Sequence, residues 1–198
     1  MVSSIRPATI ADLPGTYRVC LLTGDSSRDA TAIYRNPELL GHLYVGAYVV
    51  GEPELAFVVA DDDGVGGYGL AAADTRRFEA WTEAHWWPPL RAQYALRDDG
   101  SPEAGLIAQL HGPWKAPERL LREFPSHLHI DLVERLRGRG VGRLMIERLL
   151  AELRACGSTG VHLDVAATND NGISFYRHLG FHAIERRDDS ILMGLRLS

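Results

Sequence analysis

The chain has 198 residues, 45% of them hydrophobic and 24% charged, which is enough for one sizeable core and points to a single domain over residues 1–198. Its formal net charge of −5 excludes a nucleic-acid partner held by bulk electrostatics, because such domains read basic. No apolar run approaches 18 residues and no leader pattern opens the chain, so the expectation is a cytoplasmic protein without a membrane partner.

Val2 to Ala8 reads as a first strand, and Ala8 to Asp12 offers capping residues before a helical run through Leu13, Tyr17, Cys20 and Leu21. A polar loop, Thr23 to Asp29, follows. Pro37-Glu38-Leu39-Leu40 begins a short second helix, whereas Gly41 to Tyr48 is an aromatic stretch that periodicity leaves undecided, its tyrosines read as packing. Leu55 to Ala60 and Val65 to Ala73 form a hairpin across Asp61-Asp62-Asp63-Gly64. Three adjacent aspartates lack the alternate spacing and distant glutamate of a calcium loop, so they read as a solvated turn and no metal is expected. Cys20 and Cys156 both fall in helical patterns without a histidine at a recognisable spacing, as buried structural thiols would.

All four tryptophans, Trp81, Trp86, Trp87 and Trp114, lie between Thr75 and Pro125, in a helical pattern interrupted at Pro88-Pro89 and broken at Asp98 to Pro102. A short helix from Glu103 to Leu110 follows. The segment is either a flap packed over the sheet or a wall of an acceptor pocket, with packing the preferred reading.

His127 to Val133 alternates strictly, putting Leu128, Ile130 and Leu132 on one face and His127, His129 and Asp131 on the other. Three ionisable groups on one side of a strand suggest chemistry. Arg137-Gly138-Arg139-Gly140-Val141-Gly142 comes next and leads into a helix carried by Val141, Leu144, Met145, Leu149, Leu150 and Leu153. A glycine-rich turn between a strand and a helix leaves successive N–H groups free to hold an anion, and Arg137, Arg139 and Arg143 add positive charge. Gly142 is followed by Arg143-Leu144, which excludes a Walker loop, and the G-x-G-x-G spacing late in the chain excludes the dinucleotide fingerprint. Val161 to Ala167 is a strand reached by a crossover, hence parallel. Asn169 to Leu179 is a helix, and Phe181 to Arg186 and Ile191 to Leu197 are the last strands.

Arg137-x-x-Gly140-x-Gly142, followed by Asn169-x-x-Gly172-x-x-Phe175-Tyr176-x-x-Leu179-Gly180-Phe181, resembles the acyl-CoA-binding core of the Gcn5-related N-acetyltransferases (GNAT). The resemblance covers Ser126 to Leu197. It implies an α/β (α+β) fold with a mixed, mostly antiparallel sheet, a splayed central parallel strand pair and flanking helices, here with the tryptophan-rich insertion at 75–125 and the acyl-CoA core at 126–186.

By that resemblance, acetyl-CoA is the cofactor. Leu132 and Val133 offer backbone to its pantetheine arm, which Asn169 also touches. Arg137, Gly138, Arg139, Gly140, Val141, Gly142 and Arg143 cradle the pyrophosphate, Phe175 also binds the cofactor, and Tyr176 points its hydroxyl at the thioester sulfur and protonates the leaving thiolate. Asp131 and His129 are the candidate bases, His127 the third. The family often has proline where Glu134 stands, which bears on the entry to the loop. It often has alanine where Gly172 stands, a change costing the helix roughly 1 kcal/mol relative to alanine.

Ile5-Arg6-Pro7, Tyr17-Arg18-Val19-Cys20, His42-Leu43-Tyr44-Val45-Gly46 and Trp86-Trp87-Pro88-Pro89-Leu90 further resemble the acetyltransferase-like domain of O-GlcNAcase and its bacterial relatives. The expected function is N-acetyl transfer to an amine, on a small molecule or a protein lysine, with a homodimer compatible. The alternative is a binding module of this fold that acts on a protein partner without turnover.

Overall fold

The structure, a computed structural model, describes residues 4–197; Val2 and Ser3 of the first expected strand lie outside the described residues. Seven strands form one sheet in the order β1-β2-β3-β4-β5-β7-β6: β1 Ser4–Pro7, β2 Ala56–Asp61, β3 Gly64–Ala72, β4 Ser126–Leu132, β5 Gly160–Ala166, β6 His182–Arg186 and β7 Ser190–Arg196. Among the described residues only β4 and β5 run parallel. The expected mixed sheet with one parallel pair is the one found.

The long helices cover its two faces. Helix α8 (Val141–Ala155) turns Val141, Met145, Ile146, Leu149, Leu150 and Leu153 inward, a stripe at helical spacing. It lies close to the sheet because Gly69 of β3 has no side chain; a Cβ there would stand 2.5 Å from Met145 Cγ. Helix α1 (Leu13–Thr23) covers the opposite face, burying Val19, Cys20 and Leu21. The undecided stretch before the hairpin folds as two short helices, α2 (Leu39–Tyr44) and α3 (Gly46–Gly51).

The tryptophan-rich segment is helical in pieces: α4 (Thr75–Trp81), α5 (Trp87–Gln93), α6 (Pro102–His111) and α7 (Glu118–Leu121). Pro88 and Pro89 do not interrupt it where the sequence suggested. The irregularity falls one turn earlier, as a π-helical turn over Thr82–Trp86 whose last bond runs from the Trp87 N–H to the Thr82 carbonyl, and the prolines enter α5 in its first turn, where their missing N–H groups cost little.

Two expectations are corrected. Cys156 is exposed, because α8 ends there and Gly157, at φ +80°, turns the chain away from the core. Asp61 is not a solvated turn residue; both its oxygens accept from Arg135 (2.9 and 3.0 Å), tying the hairpin tip to the turn Glu134–Leu136 that leads into the glycine loop. No helix among the described residues is long and apolar enough to cross a membrane.

Candidate active site

The site is opened by the way β4 and β5 part. Their pairing consists of Ser126 with Val161 and His127 with His162; from Leu128 onward β4 has no partner on that side. Val133 donates to the Gly66 carbonyl at 2.9 Å, so by the alternation of an antiparallel ladder Asp131 and His129 also turn their backbone toward β3, while Ile130 and Leu132 turn theirs into the gap. This corrects the role expected of Val133: its N–H is taken by Gly66 and its carbonyl by the Leu136 N–H (3.0 Å), and Ile130 holds the open edge instead. The Leu132 carbonyl accepts from Arg137 Nε at 2.7 Å, which folds that side chain back along the strand end.

A cleft of about 1470 Å³ runs through the gap, from Arg137, Gly138, Gly140, Gly142 and Arg143 past Asn169, Phe175 and Tyr176 to His129 and Asp131, and on to Glu79, Trp87 and Trp114. Gly138 and Gly140 adopt left-handed φ values of +70° and +78°, which side-chain-bearing residues enter only at a cost, and a Cβ on either would meet no protein atom within 4 Å. The concavity they leave is open. The N–H groups of Val141, Gly142 and Arg143, in the first turn of α8, have no helical acceptor and carry the positive end of the helix dipole. An extended diphosphate fits this donor set. Arg139 and the core-facing Val141 side chain are not among the lining residues, and Arg143 also holds Glu147 at 2.7 Å.

Helix α9 (Asp170–His178) forms the other bank. Asn169 caps it by accepting the Gly172 N–H at 2.9 Å and donates through Nδ2 to Ser27 Oγ at 3.1 Å, so much of its amide is committed to structure. A Cβ on Gly172 would stand 2.8 Å from that same amide nitrogen, so the glycine leaves room for the cap. Tyr176 packs edge-on against Phe175 and Phe181, ring centres 5.3 and 5.6 Å away, and burial together with the charge of Asp131 pushes its hydroxyl well above the ordinary phenol range. It remains a proton donor at neutral pH.

The acidic and basic groups of β4 are held from several elements. Tyr68 on β3, opposite Asp131 in the ladder and fully buried, donates to Asp131 Oδ2 at 2.6 Å. His129 Nε2 lies 3.0 Å from the same oxygen, and its Nδ1 lies 3.2 Å from the Tyr44 carbonyl. Burial alone would lower the His129 pKa, but the bond to Asp131, its charge and the Tyr44 carbonyl outweigh that and raise it. His127, by contrast, has both ring nitrogens engaged, by Tyr48 OH (2.7 Å) and Thr75 Oγ1 (2.8 Å). Burial, with His162 and His129 as neighbours, lowers it to about 3, leaving it neutral and without a free lone pair.

Sequence reasoning missed Tyr68, Tyr44 and Ser27. Nothing in the strand pattern marks Tyr68; only the β3–β4 register sets it against Asp131. The tryptophan segment is packed, as preferred, and also reaches the cleft: Trp81 stacks on Phe78, Trp86 donates to the His42 carbonyl at 2.9 Å, and Trp87 and Trp114 are among the cleft's lining residues.

A crystal structure of SsHAT matches over the whole of both chains with 34% identity and a TM-score of 0.91. A phosphinothricin acetyltransferase from Sinorhizobium meliloti, solved in complex with AcCoA, shares the fold at 19% identity and a TM-score of 0.57, covering 100% of this chain and 90% of that one. Protein O-GlcNAcase from Rattus norvegicus is 26% identical over 205 residues, 99% of this chain but 22% of that protein, so the chain spans about a fifth of that relative's length. The model of the acetyltransferase (GNAT) family matches residues 31–181, and the chain belongs to that family.

Proposed function

We propose that the protein is an acetyl-CoA-dependent N-acetyltransferase that moves the acetyl group directly to an amine. The observation that carries this is the single cleft joining three features: the bare-amide cradle at Gly138 and Gly140, the β4 edge at Ile130 that β5 leaves unpaired, and the Asp131, His129 and Tyr176 side chains beyond. The cofactor would supply an acetyl group already activated as a thioester. The chain's own work is then alignment and proton management. The cradle and the β4 edge at Ile130 hold the ligand's polar length, the Asp131–His129 pair lies beside the reacting centre to receive a proton, and Tyr176 offers one to the departing sulfur.

Acetyl-CoA at 100 times its Kd should stabilise the fold by about 2.7 kcal/mol. Thiol release should then follow with members of a panel of amino sugars, polyamines and lysine peptides. Absence of stabilisation would remove the reading, whereas stabilisation without thiol release would favour a cofactor-binding module acting through a protein partner.

A further inference from the structure

His129 and Asp131 stand two residues apart on one face of β4, and the protein occupies three of the four polar atoms of this pair. An imidazole nitrogen that faces a carbonyl or carboxylate oxygen must carry a proton, and a neutral ring has only one N–H. Both His129 nitrogens face such oxygens: Nε2 the carboxylate of Asp131 at 3.0 Å, Nδ1 the backbone carbonyl of Tyr44 at 3.2 Å. A neutral His129 would set a lone pair against one of them.

We infer that His129 is a fixed imidazolium rather than a base, that Asp131 takes the proton of the acceptor amine through Oδ1, and that Tyr68 is the positioning residue that holds Asp131 in place. The inference rests on the acetyltransferase reading for its chemistry but not for its charges. Asp131 Oδ2 is filled by Tyr68 OH and by His129, while Oδ1 takes no hydrogen bond among the described residues, and Asp131 lines the cleft. Burial keeps the Tyr68 hydroxyl protonated and therefore always a donor.

The other titratable groups facing the pair are Cys20 from α1, Tyr44 from α2, His127 on β4 and Tyr176 from α9. None carries positive charge at neutral pH. Burial pushes the Cys20 thiol up to about 12, and His127 is held down to about 3. Asp131, 3.0 Å from His129 Nε2, is thus the counter-charge of the imidazolium.

The protons balance. The amine nitrogen loses one proton to Asp131 Oδ1 as its lone pair forms the new C–N bond. The electron pair of the broken C–S bond leaves on sulfur, which takes a proton from Tyr176, and the proton on Asp131 restores the phenol through the cleft.

The test is nitrogen NMR on the cofactor-free protein, with His129 assigned through its backbone. At pH 8 both ring nitrogens should show imidazolium shifts; a neutral tautomer would overturn the assignment. In thiol-release assays Asp131→Asn should lower kcat/KM by about 10²-fold or more, the usual share of a general base. His129→Gln should retain more turnover, with the acid limb of its pH profile moved to higher pH, because Asp131 has lost its neighbouring cation. Equal losses with an unmoved limb would make His129 the base and sink the proposal. Should no amine support turnover, the nitrogen spectrum alone still decides the charges, so the two readings fail separately.

Discussion

His127 and His162 face each other across the last paired rung of β4 and β5, their ring centres 5.6 Å apart, and beyond them the two strands separate. Two imidazoles at this distance coexist comfortably only when neutral. Each is anchored: His127 by Tyr48 and Thr75, His162 by the Phe124 carbonyl at 2.9 Å. The rung is therefore both the hinge of the splay and a place where protonation is costly.

The pH dependence of stability should show this. An unfolded histidine titrates near 6.5, whereas His127 is held at about 3 and His162 is also lowered, burial being the main cause for both. Below pH 6.5 the unfolded chain binds protons that these folded rings refuse. Their contribution is thus complete above pH 6.5 and is lost as pH falls toward the folded values. Between pH 6.5 and 5, where carboxylates remain ionised, stability should fall by up to about 1 kcal/mol per pH unit for His127 alone. Denaturant titrations of the native chain and of His127→Gln at pH 7.5, 6 and 5 would check it; parallel curves would count against it.

Gly140 separates strain from ligand exclusion. At φ +78° with open space beyond, Gly140→Ala should cost about 1 kcal/mol of stability from backbone conformation, without a clash in the free protein. The new methyl group projects into the proposed diphosphate cradle. Calorimetry should therefore show CoA affinity reduced about tenfold or more, equivalent to losing roughly one hydrogen bond to a charged group. Loss of stability with full CoA affinity would place the diphosphate elsewhere.

What could be read from the sequence was what repeats locally. The alternation of His127 to Val133, the helical stripe of Val141 to Leu153 and the glycine spacing gave strand, helix and turn within a few residues of where they lie. Register was not legible. Val133 looked available because nothing local shows that its N–H meets Gly66, and Asp131 and His129 looked equivalent because Tyr68 and Tyr44 reach them from elements 60 or more residues earlier. Pro88-Pro89 misled because a new helix, α5, starts at Trp87 and places both prolines in its first turn, where no N–H is needed.

Tyr176→Phe tests the other end of the proton path. The ring packs against Phe175 and Phe181, contacts that phenylalanine keeps, so the fold and the cleft wall should survive the change. The hydroxyl alone is lost, and burial with the nearby charge of Asp131 ensures that in the native protein it carries its proton at working pH. A group that acts only as sulfur departs should affect the chemical step and leave ground-state binding alone. Single-turnover rates should drop by about 10²-fold, within the range of a general acid, while the Kd for acetyl-CoA changes by no more than about twofold. A weaker Kd with an unchanged single-turnover rate would make Tyr176 a binding residue and leave the thiolate to be protonated by solvent.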